Sequence, residues 1–435
     1  MKHVLELLTI TGPVTSKPSY VTRLMGIQPA YLLGAWVLSE TTGRTAVNAA
    51  NKFYPNLEHF DNGGFEIAGG GGADIWANTQ EVAGNGALSD ETIEVHAGGS
   101  AHAAKITAGA SANTYIRPTQ NSSMYANDIK VFPGQTLILT FWTRGDGVNA
   151  GRYSVYDNNN GVYIRSTIST GITGVTYAQV SYSFVIPSGC YDILVSLLCP
   201  TANGGICYFD DVSLIGNMPY NGLYAAAGMT YNISGPGDGR GAARFSGADT
   251  GLLIGSKAFG LSYNGNVGSV IAWGKVDAAA RWTDATSYRY LFHPKSRQDA
   301  TVYIVIGKNQ TNHQLVWRRR VASTTYEKLY TFSPSGPTGW FSMGFRWNML
   351  SSPKNFAGFV YAPGHTAFTK VFDETPSVGY GDQLWDTATY TVDDANCVLA
   401  GGSITAQEWF GDEARAFYWA GAALTDNEFY KGMVI

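Results

Sequence analysis

The sequence consists of many short segments in which apolar and polar side chains alternate. In residues 136–143, Leu137, Leu139 and Phe141 would point to one face of a β-strand, and the residues between them to the other face. Further segments of strand character lie at residues 180–186, 191–197, 302–306, 315–319, 340–347 and 415–419. Helical periodicity is almost absent, and turn-forming residues separate the segments. The pattern predicts an all-β chain of antiparallel β-sandwiches.

Length and composition agree with an all-β chain of more than one domain. The 435 residues exceed the usual size of a single domain, which favours two large β-domains or three ordinary ones. Charged residues make up only 14% of the chain, whereas Gly (52 residues) and Tyr (26 residues) are plentiful, as turns and aromatic strands require. One short helix is predicted near the end, where Thr425 and Glu428 form a capping-box pattern.

Charge and hydropathy exclude several classes of partner. The formal net charge is −4, and the three consecutive arginines at 318–320 would alternate between the faces of a strand, so nucleic acid is not an expected partner. No stretch approaches the roughly 20 apolar residues that span a bilayer, so membrane insertion is not expected. Residues 1–11 contain a short apolar run interrupted by Glu6, which makes a poor signal peptide.

The cysteines lack the paired spacing of a zinc site. They are Cys190, Cys199, Cys207 and Cys397. We expect them to be small buried apolar residues, and a disulfide from Cys190 or Cys199 to Cys207 is the alternative.

Three motifs follow one another in the middle of the chain. They are DNGGFE (61–66), VFPGQTLILTFWTRG (131–145) and YFDDVSLIG (208–216). In order and spacing they resemble carbohydrate-binding modules of the family-4/9 type, which are jelly-roll β-sandwiches. The resemblance implies a glycan-binding sandwich over residues 58–216.

The flanks of that segment carry a second resemblance. YLLGAWVLSETTGRTAVNAA (31–50) is similar to the first strand of a laminin-G-like, concanavalin A-like sandwich, and its continuation reappears at residues 220–231, 241–254 and 411–430. The two resemblances together imply a binding module inserted in an exposed loop of the outer sandwich, which a host core tolerates. The predicted divisions are an N-terminal arm (1–28), the first strand region of the outer sandwich (29–57), the inserted jelly roll (58–216) and the remainder of the outer sandwich (217–435).

In this combination, and with GPGDGRGAARF (235–245) leading back into the outer sandwich, the chain resembles structural proteins of tailed bacteriophages. The resemblance implies a tail-associated or capsid-decorating virion protein, outside the cell after lysis, that presents glycan-binding sandwiches to a host surface. Many copies, as in a homo-oligomer, would strengthen weak sugar binding. The arm, which has two prolines, would dock to other virion proteins. A secreted bacterial polysaccharide-binding or adhesin accessory protein, and a purely structural cement protein, are the alternatives.

No catalytic motif stands out. The Glu-x-Asp-x-x-Glu pattern of concanavalin A-like glucanases, whose two carboxyl groups lie about 5 Å apart, is absent. A nucleophile elbow, a zinc-binding His pair and a phosphate-binding loop are absent as well. We therefore expect a protein that is not an enzyme.

Sugar binding requires aromatic rings that stack on pyranose faces and polar groups that bind hydroxyls. Trp142 lies on the strand face opposite the predicted core set, and Trp76 lies in an early loop where the family places a binding aromatic. The predicted glycan-binding residues are Trp76, Trp142, Arg152, Tyr153, Tyr156 and Asp157. Trp36, Trp273 and Trp347 are expected in the core.

The module family also implies a structural calcium ion where its first and last strands meet. Glu66 of GFE and Asp210 and Asp211 of FDDV are at the matching positions. Hard oxygen ligands gathered from distant segments suit Ca²⁺, and the alternative is that these acids are solvated or paired with Lys or Arg.

Overall fold

The computed structural model of the chain describes residues 20–38, 45–46, 48–69, 75–98, 101–110, 113–119, 129–200, 204–224, 229–246, 252–253, 257–284, 288–296, 299, 301–322, 324–377, 383–386, 398–399 and 409–434. Cys397 lies outside these residues. In the described part of the chain, no helix is both long enough and apolar enough to cross a bilayer.

The chain begins with α1 (Tyr20–Met25), β1 (Leu32–Trp36) and β2 (Thr45–Ala46). The middle forms β3 (Phe53–Glu58), β4 (Thr79–Val82), β5 (Ala87–Glu91), β6 (Ala103–Thr107), β7 (Tyr115–Pro118), β8 (Ile129–Lys130), β9 (Thr136–Arg144), β10 (Arg152–Asp157), β11 (Val162–Ser169), β12 (Ala178–Val185), β13 (Asp192–Leu198) and β14 (Ile206–Pro219). The rest forms β15 (Gly222–Tyr224), β16 (Met229–Ser234), β17 (Gly241–Ser246), β18 (Leu252–Leu253), α2 (Lys257–Ser262), β19 (Val267–Val276), a 3₁₀ turn (Ala279–Thr283), β20 (Arg289–His293), β21 (Tyr303–Lys308), β22 (Gln314–Val321), β23 (Thr324–Thr331), β24 (Phe341–Asn348), β25 (Asn355–Ala362), β26 (Thr366–Glu374), β27 (Val398–Leu399), β28 (Phe410–Ala420) and α3 (Asp426–Met433). The predicted all-β, antiparallel fold class is confirmed.

The outer sandwich combines strands from both ends of the chain. Its first sheet has the order β16-β17-β28-β19-β24-β25-β26. In addition, β1, the first strand of the chain, pairs with β28, the last. In that pairing Ala35 lies opposite Phe417, and Trp36 lies opposite Ala416. The second sheet has the order β2-β15-β18-β27-β20-β21-β22-β23. The N-terminal strand and the C-terminal strand therefore belong to one folded body.

The first outer sheet is buried on both of its faces. One face packs on the second sheet around Trp36 and Trp347, while the other face, which carries Trp273, packs on α1 and α3. All three tryptophans have no exposed surface, so their predicted core position is confirmed.

Residues 20–28, predicted as part of a docking arm, belong to this core instead. Val21, Leu24 and Ile27 recur at the three-residue spacing of a helix and pack with α3 against the sheet. Trp419 Nε1 donates a 2.7 Å hydrogen bond to the Ile27 carbonyl, which fixes the end of this segment. Residues 1–19 of the predicted arm lie outside the described residues.

Residues 53–219 form two sheets of their own, and the sequence-based limits 58 and 216 fall within β3 and β14. One sheet has the order β11-β10-β13-β7-β4 with β8 on β13, and the other has the order β12-β9-β14-β6-β5 with β3 on β14. Their facing sides enclose one core, in which Leu137, Leu139 and Phe141 have no exposed surface, as alternation predicts. We call this body the inserted sandwich.

Several local predictions are also tested. The capping box is confirmed, because Thr425 Oγ1 accepts a hydrogen bond from Glu428 N and the Glu428 side chain accepts one from Thr425 N. Arg319 is buried and donates to the Gly265 carbonyl, whereas Arg318 pairs with Glu327 on the other face of β22. Alternation of these neighbouring arginines is confirmed.

The described cysteines are buried free thiols, as predicted. Cys199 and Cys207 have their sulfur atoms 3.0 Å apart without a covalent bond, so the alternative of a bridge is not present. The hydrogen bond from Cys199, together with burial, raises the pKa of the Cys207 thiol above its ordinary value.

Candidate functional site

The six predicted glycan-binding side chains do not share one surface. Trp76 is 2% exposed and packs against Phe65, with ring centroids 5.3 Å apart. Glu81 turns this loop inward, because its carboxylate accepts hydrogen bonds from the backbone N–H groups of Ile75 and Trp76. Tyr153 is 6% exposed and packs edge-on against Phe141 in the core. Neither ring offers a face to a ligand, which corrects the prediction for both residues.

Asp157 is also unavailable to a ligand. Its carboxylate is fully buried and accepts hydrogen bonds from the backbone N–H groups of Asn159 and Asn160. The Asn160 side chain donates a further bond of 2.6 Å. Asp157 therefore shapes the turn between β10 and β11.

Arg152 and Tyr156 do lie at the surface, on the outer face of the β10–β13 sheet. Tyr153 and Val155 are in the core, so strand alternation turns Arg152, Ser154 and Tyr156 outward. Tyr163 lies opposite Tyr156 on β11, and the two rings meet edge to face with centroids 5.0 Å apart. Tyr163 is 57% exposed.

The same face continues across β13 onto β7 and β4. Arg117 donates to Ser196 Oγ at 2.8 Å and to Gln80 Oε1 at 3.0 Å. Its guanidinium lies 4.5 Å from the centre of the Tyr115 ring. Between these groups and Tyr156 lie Ser154 and Ser196, which face each other on adjacent strands and are almost buried. We call this surface the tyrosine face: Tyr115, Arg117, Arg152, Tyr156 and Tyr163.

Trp142 projects from the opposite sheet, on the outer face of β9. Its indole is half-buried, but the neighbour that covers it is not apolar. The imidazole of His96 stacks on it with ring centroids 3.8 Å apart and planes 16° apart. The Trp142 ring face is therefore occupied by a side chain of the chain itself.

Arg144, Tyr177 and Tyr208 surround this stack and complete what we call the tryptophan face. The Arg144 guanidinium lies 3.9 Å from the centre of the Tyr208 ring and forms an ion pair with Glu94. The Tyr177 hydroxyl donates a 2.9 Å hydrogen bond to the Glu94 carbonyl. Burial raises the pKa of Tyr177 well above its ordinary value, so its hydroxyl remains a donor at neutral pH.

The three predicted calcium ligands lie near one another, beside the segment that carries His96 and His102. A Cβ placed on Gly64 would lie 3.6 Å from Glu66 Cγ and 3.8 Å from Asp211 Oδ1. Glu66 accepts hydrogen bonds from the N–H groups of Ala101 and His102. Asp211 Oδ2 lies 2.8 Å from His96 Nδ1, and the His96 N–H donates to Asp210 Oδ2.

This oxygen-rich set has the chemistry that Ca²⁺ prefers, and Glu66, Asp210 and Asp211 are the residues that would hold it. Within the described ranges, however, no cluster of three or more His, Cys, Asp or Glu side chains has the geometry of a metal site. The calcium ion stays a prediction.

Sequence reasoning misses several residues of these surfaces. Alternation from Trp142 points to Arg144 two residues later, and the same reasoning applied to β7 would have paired Tyr115 with Arg117. No local signal brings His96 onto Trp142, because its loop belongs to neither strand that flanks β9.

Comparison with known proteins gives no match in sequence and several in structure. No protein-family model matches the chain. No curated protein matches it at a significant level.

Among solved structures, the chain is similar to a family-4 carbohydrate-binding module, with 17% identity, a TM-score of 0.24 and coverage of 32% of this chain and 94% of the module. It is similar to the family-22 xylan-binding domain of Paenibacillus barcinonensis Xyn10C, with 11% identity, a TM-score of 0.26 and coverage of 38% and 95%. It is similar to tailspike protein 4 of bacteriophage CBA120, with 14% identity, a TM-score of 0.27 and coverage of 36% of this chain but 21% of the tailspike domain. The function of this chain therefore has to be inferred from its own side chains.

Proposed function

We propose that this chain is a non-enzymatic carbohydrate-binding protein whose inserted sandwich binds a saccharide chain on the tyrosine face. The observation that carries the proposal is the pair Tyr156 and Tyr163 at the surface beside Arg152. Exposed aromatic rings on a rigid sheet are suited to stack on sugar rings, and they lose little side-chain entropy when they do so.

The polar groups of the tyrosine face define the class of sugar. Arg117 is already held in place by Ser196 and Gln80, so its remaining N–H groups are pre-oriented to donate to hydroxyl or carboxylate oxygens. Arg152 adds a second guanidinium at the other side of the face. Two guanidinium groups favour neutral or acidic polysaccharides over those that carry amino groups.

The same face supports binding rather than hydrolysis. On the described strands of this face, the carboxylate is that of Asp192, at the start of β13. It forms an ion pair with Lys130 and accepts a hydrogen bond from the Asn159 amide. Retaining and inverting hydrolysis both require two carboxyl groups that flank the scissile bond.

A mutational binding experiment tests the proposal. Tyr156→Ala with Tyr163→Ala should weaken binding to an immobilised polysaccharide panel at least about tenfold, the loss typical of removing aromatic anchors. Tyr31→Ala, which removes a 48% exposed tyrosine from the outer sandwich, is the matched control and should bind as the parent does. A parent protein that binds no polysaccharide in multimeric form, or a double variant that binds equally well, contradicts the proposal.

The biological setting is a separate part of the proposal. A bacteriophage virion, on the tail or as a capsid decoration, would supply the many copies that make weak sugar binding effective. Immunogold labelling of purified particles tests it: label on the tail or capsid supports the virion role. Label confined to a secreted bacterial fraction supports the adhesin alternative instead.

A further inference from the structure

The loop that covers Trp142 has the properties of a removable lid. Residues 92–98, which we call the lid, belong to no strand or helix. Its apolar Ile93 is 87% exposed and contributes little buried surface, and its other large apolar residue, Val95, is only half-buried. A segment with few buried apolar contacts opens at low free-energy cost.

Polar contacts hold the lid in place. Glu94 pairs with Arg144 through a carboxylate that is 50% exposed, and its carbonyl accepts the Tyr177 hydroxyl. The His96 ring and N–H bind Asp211 and Asp210. Water or sugar hydroxyls can replace each of these contacts, and each contributes about 0.5–3 kcal/mol, with the larger values for hydrogen bonds to charged groups.

What the lid covers is a flat aromatic surface with polar groups around it. The imidazole lies parallel to the indole at 3.8 Å, which is the position that the face of a pyranose ring would take. When the lid leaves, Arg144 loses its Glu94 partner and Asp210 and Asp211 lose their His96 partners. Donors and acceptors for sugar hydroxyls then surround Trp142.

We infer that the tryptophan face is a second saccharide site, closed in this structure by His96 and Glu94 of the lid. The inference rests on the proposed function in one respect, that the inserted sandwich binds sugars. The charge of the opened site is one guanidinium, Arg144, against two carboxylates, Asp210 and Asp211. The ligand is therefore a neutral rather than an acidic hexopyranose unit, in contrast to the neutral or acidic chain suited to the tyrosine face.

The two faces are tested separately by working in the Tyr156→Ala/Tyr163→Ala background. In that background, Glu94→Ala with His96→Ala should raise the affinity for a neutral oligosaccharide such as a cello- or xylo-oligosaccharide by about tenfold, because opening no longer competes with binding. His102→Ala is the matched control, since it removes a histidine that contacts Asp90 outside the lid. Isothermal titration against neutral and uronic-acid oligosaccharides measures the effect.

Substitutions of Trp142 test whether its ring forms the second site. Adding Trp142→Ala to the open-lid protein should abolish the gain, and Trp142→Phe, which keeps an aromatic face and guards against misfolding, should retain part of it. No gain on opening the lid, or a gain that survives Trp142→Ala, overturns the second site while leaving the tyrosine face untouched. A Tyr156→Ala/Tyr163→Ala variant that keeps full polysaccharide binding, with a Trp142-dependent gain here, would instead overturn the first site and support the second.

Discussion

The inserted sandwich and the outer sandwich are both built from antiparallel sheets, but their sheets are covered differently. The inserted sandwich has one core, and the outer faces of both its sheets carry aromatic and charged side chains near the surface. The first sheet of the outer sandwich is buried twice, against the second sheet and against α1 and α3. Whether the outer face of a sheet can serve as a binding surface therefore depends on which segments pack against that face.

Two buried ionisable groups of the outer sandwich differ from a buried ion pair of the inserted sandwich. In the inserted sandwich, Lys130 and Asp192 are both nearly buried and form an ion pair. In the outer sandwich, Glu413 is fully buried, and neither of its carboxylate oxygens has a hydrogen-bond partner among the described residues. His293 is almost fully buried, and its Nδ1 also has no hydrogen-bond partner in that part of the chain. The Lys130–Asp192 pair is therefore charged and paired, whereas burial keeps Glu413 and His293 of the outer sandwich uncharged.

The largest expected effect tests the double coverage of the outer sheet. Trp273→Ala removes a fully buried ring between the sheet and the helix layer and should lower the free energy of unfolding by about 3–5 kcal/mol. Tyr163→Ala, at a 57% exposed ring of the inserted sandwich, should change it by less than about 0.5 kcal/mol. Urea denaturation followed by circular dichroism measures both, and equal losses would break the comparison.

Removing one partner of the buried ion pair should have the next largest effect. Asp192→Asn leaves the Lys130 charge buried without a carboxylate and should cost about 3 kcal/mol. Asp90→Asn removes an acid whose pair with His102 is about one-third exposed, and it should cost less than about 1 kcal/mol. Denaturation at neutral pH distinguishes the two, and a loss at Asp192 as small as that at Asp90 contradicts the structural role of the pair.

Substitution of Glu413 should stabilise the protein at neutral pH, whereas substitution of Asp192 should destabilise it. Burial raises its pKa well above the ordinary value of 4.5, so the folded state holds a proton that the unfolded state releases. The stability from this group is full below pH 4.5 and falls as the pH rises, by up to about 1.4 kcal/mol per pH unit. Glu413→Gln, which cannot ionise, should therefore be more stable than the parent at pH 7 and lose this slope. A variant that is less stable at every pH contradicts an unpaired, neutral Glu413.

His293 should give a smaller effect, which is measured between pH 6.5 and 5. Burial lowers its pKa from 6.5 to about 3, so the folded state excludes a proton that the unfolded state binds. Its contribution to stability is full above pH 6.5 and falls as the pH decreases towards 3. His293→Phe should remove this loss, so that its stability between pH 6.5 and 5 declines less than that of the parent. Denaturation midpoints across that range measure the difference, and parallel curves would contradict it.

Part of the fold is readable from the sequence because it depends on local geometry. The alternation in β9 identifies its core residues, and the capping box identifies the start of α3. The helical spacing of Val21, Leu24 and Ile27 is also local, but α1 has only six residues and follows a segment with two prolines, so it is easily missed. The prediction for Trp76 is wrong for a different reason, because a loop residue has no strand alternation that determines where its side chain points.

By itself, the sequence determined which side chains of a strand share a face, and it therefore determined the all-β class and most of the core. Only the tertiary structure decided what meets each face: His96 lies on Trp142, two helices lie on the outer sheet, and Arg152 and Tyr156 remain near solvent. The physical reason is that alternation is a property of the backbone within one strand. Coverage of a face depends on the packing of segments that are distant in the chain, and no pattern within either segment records that packing.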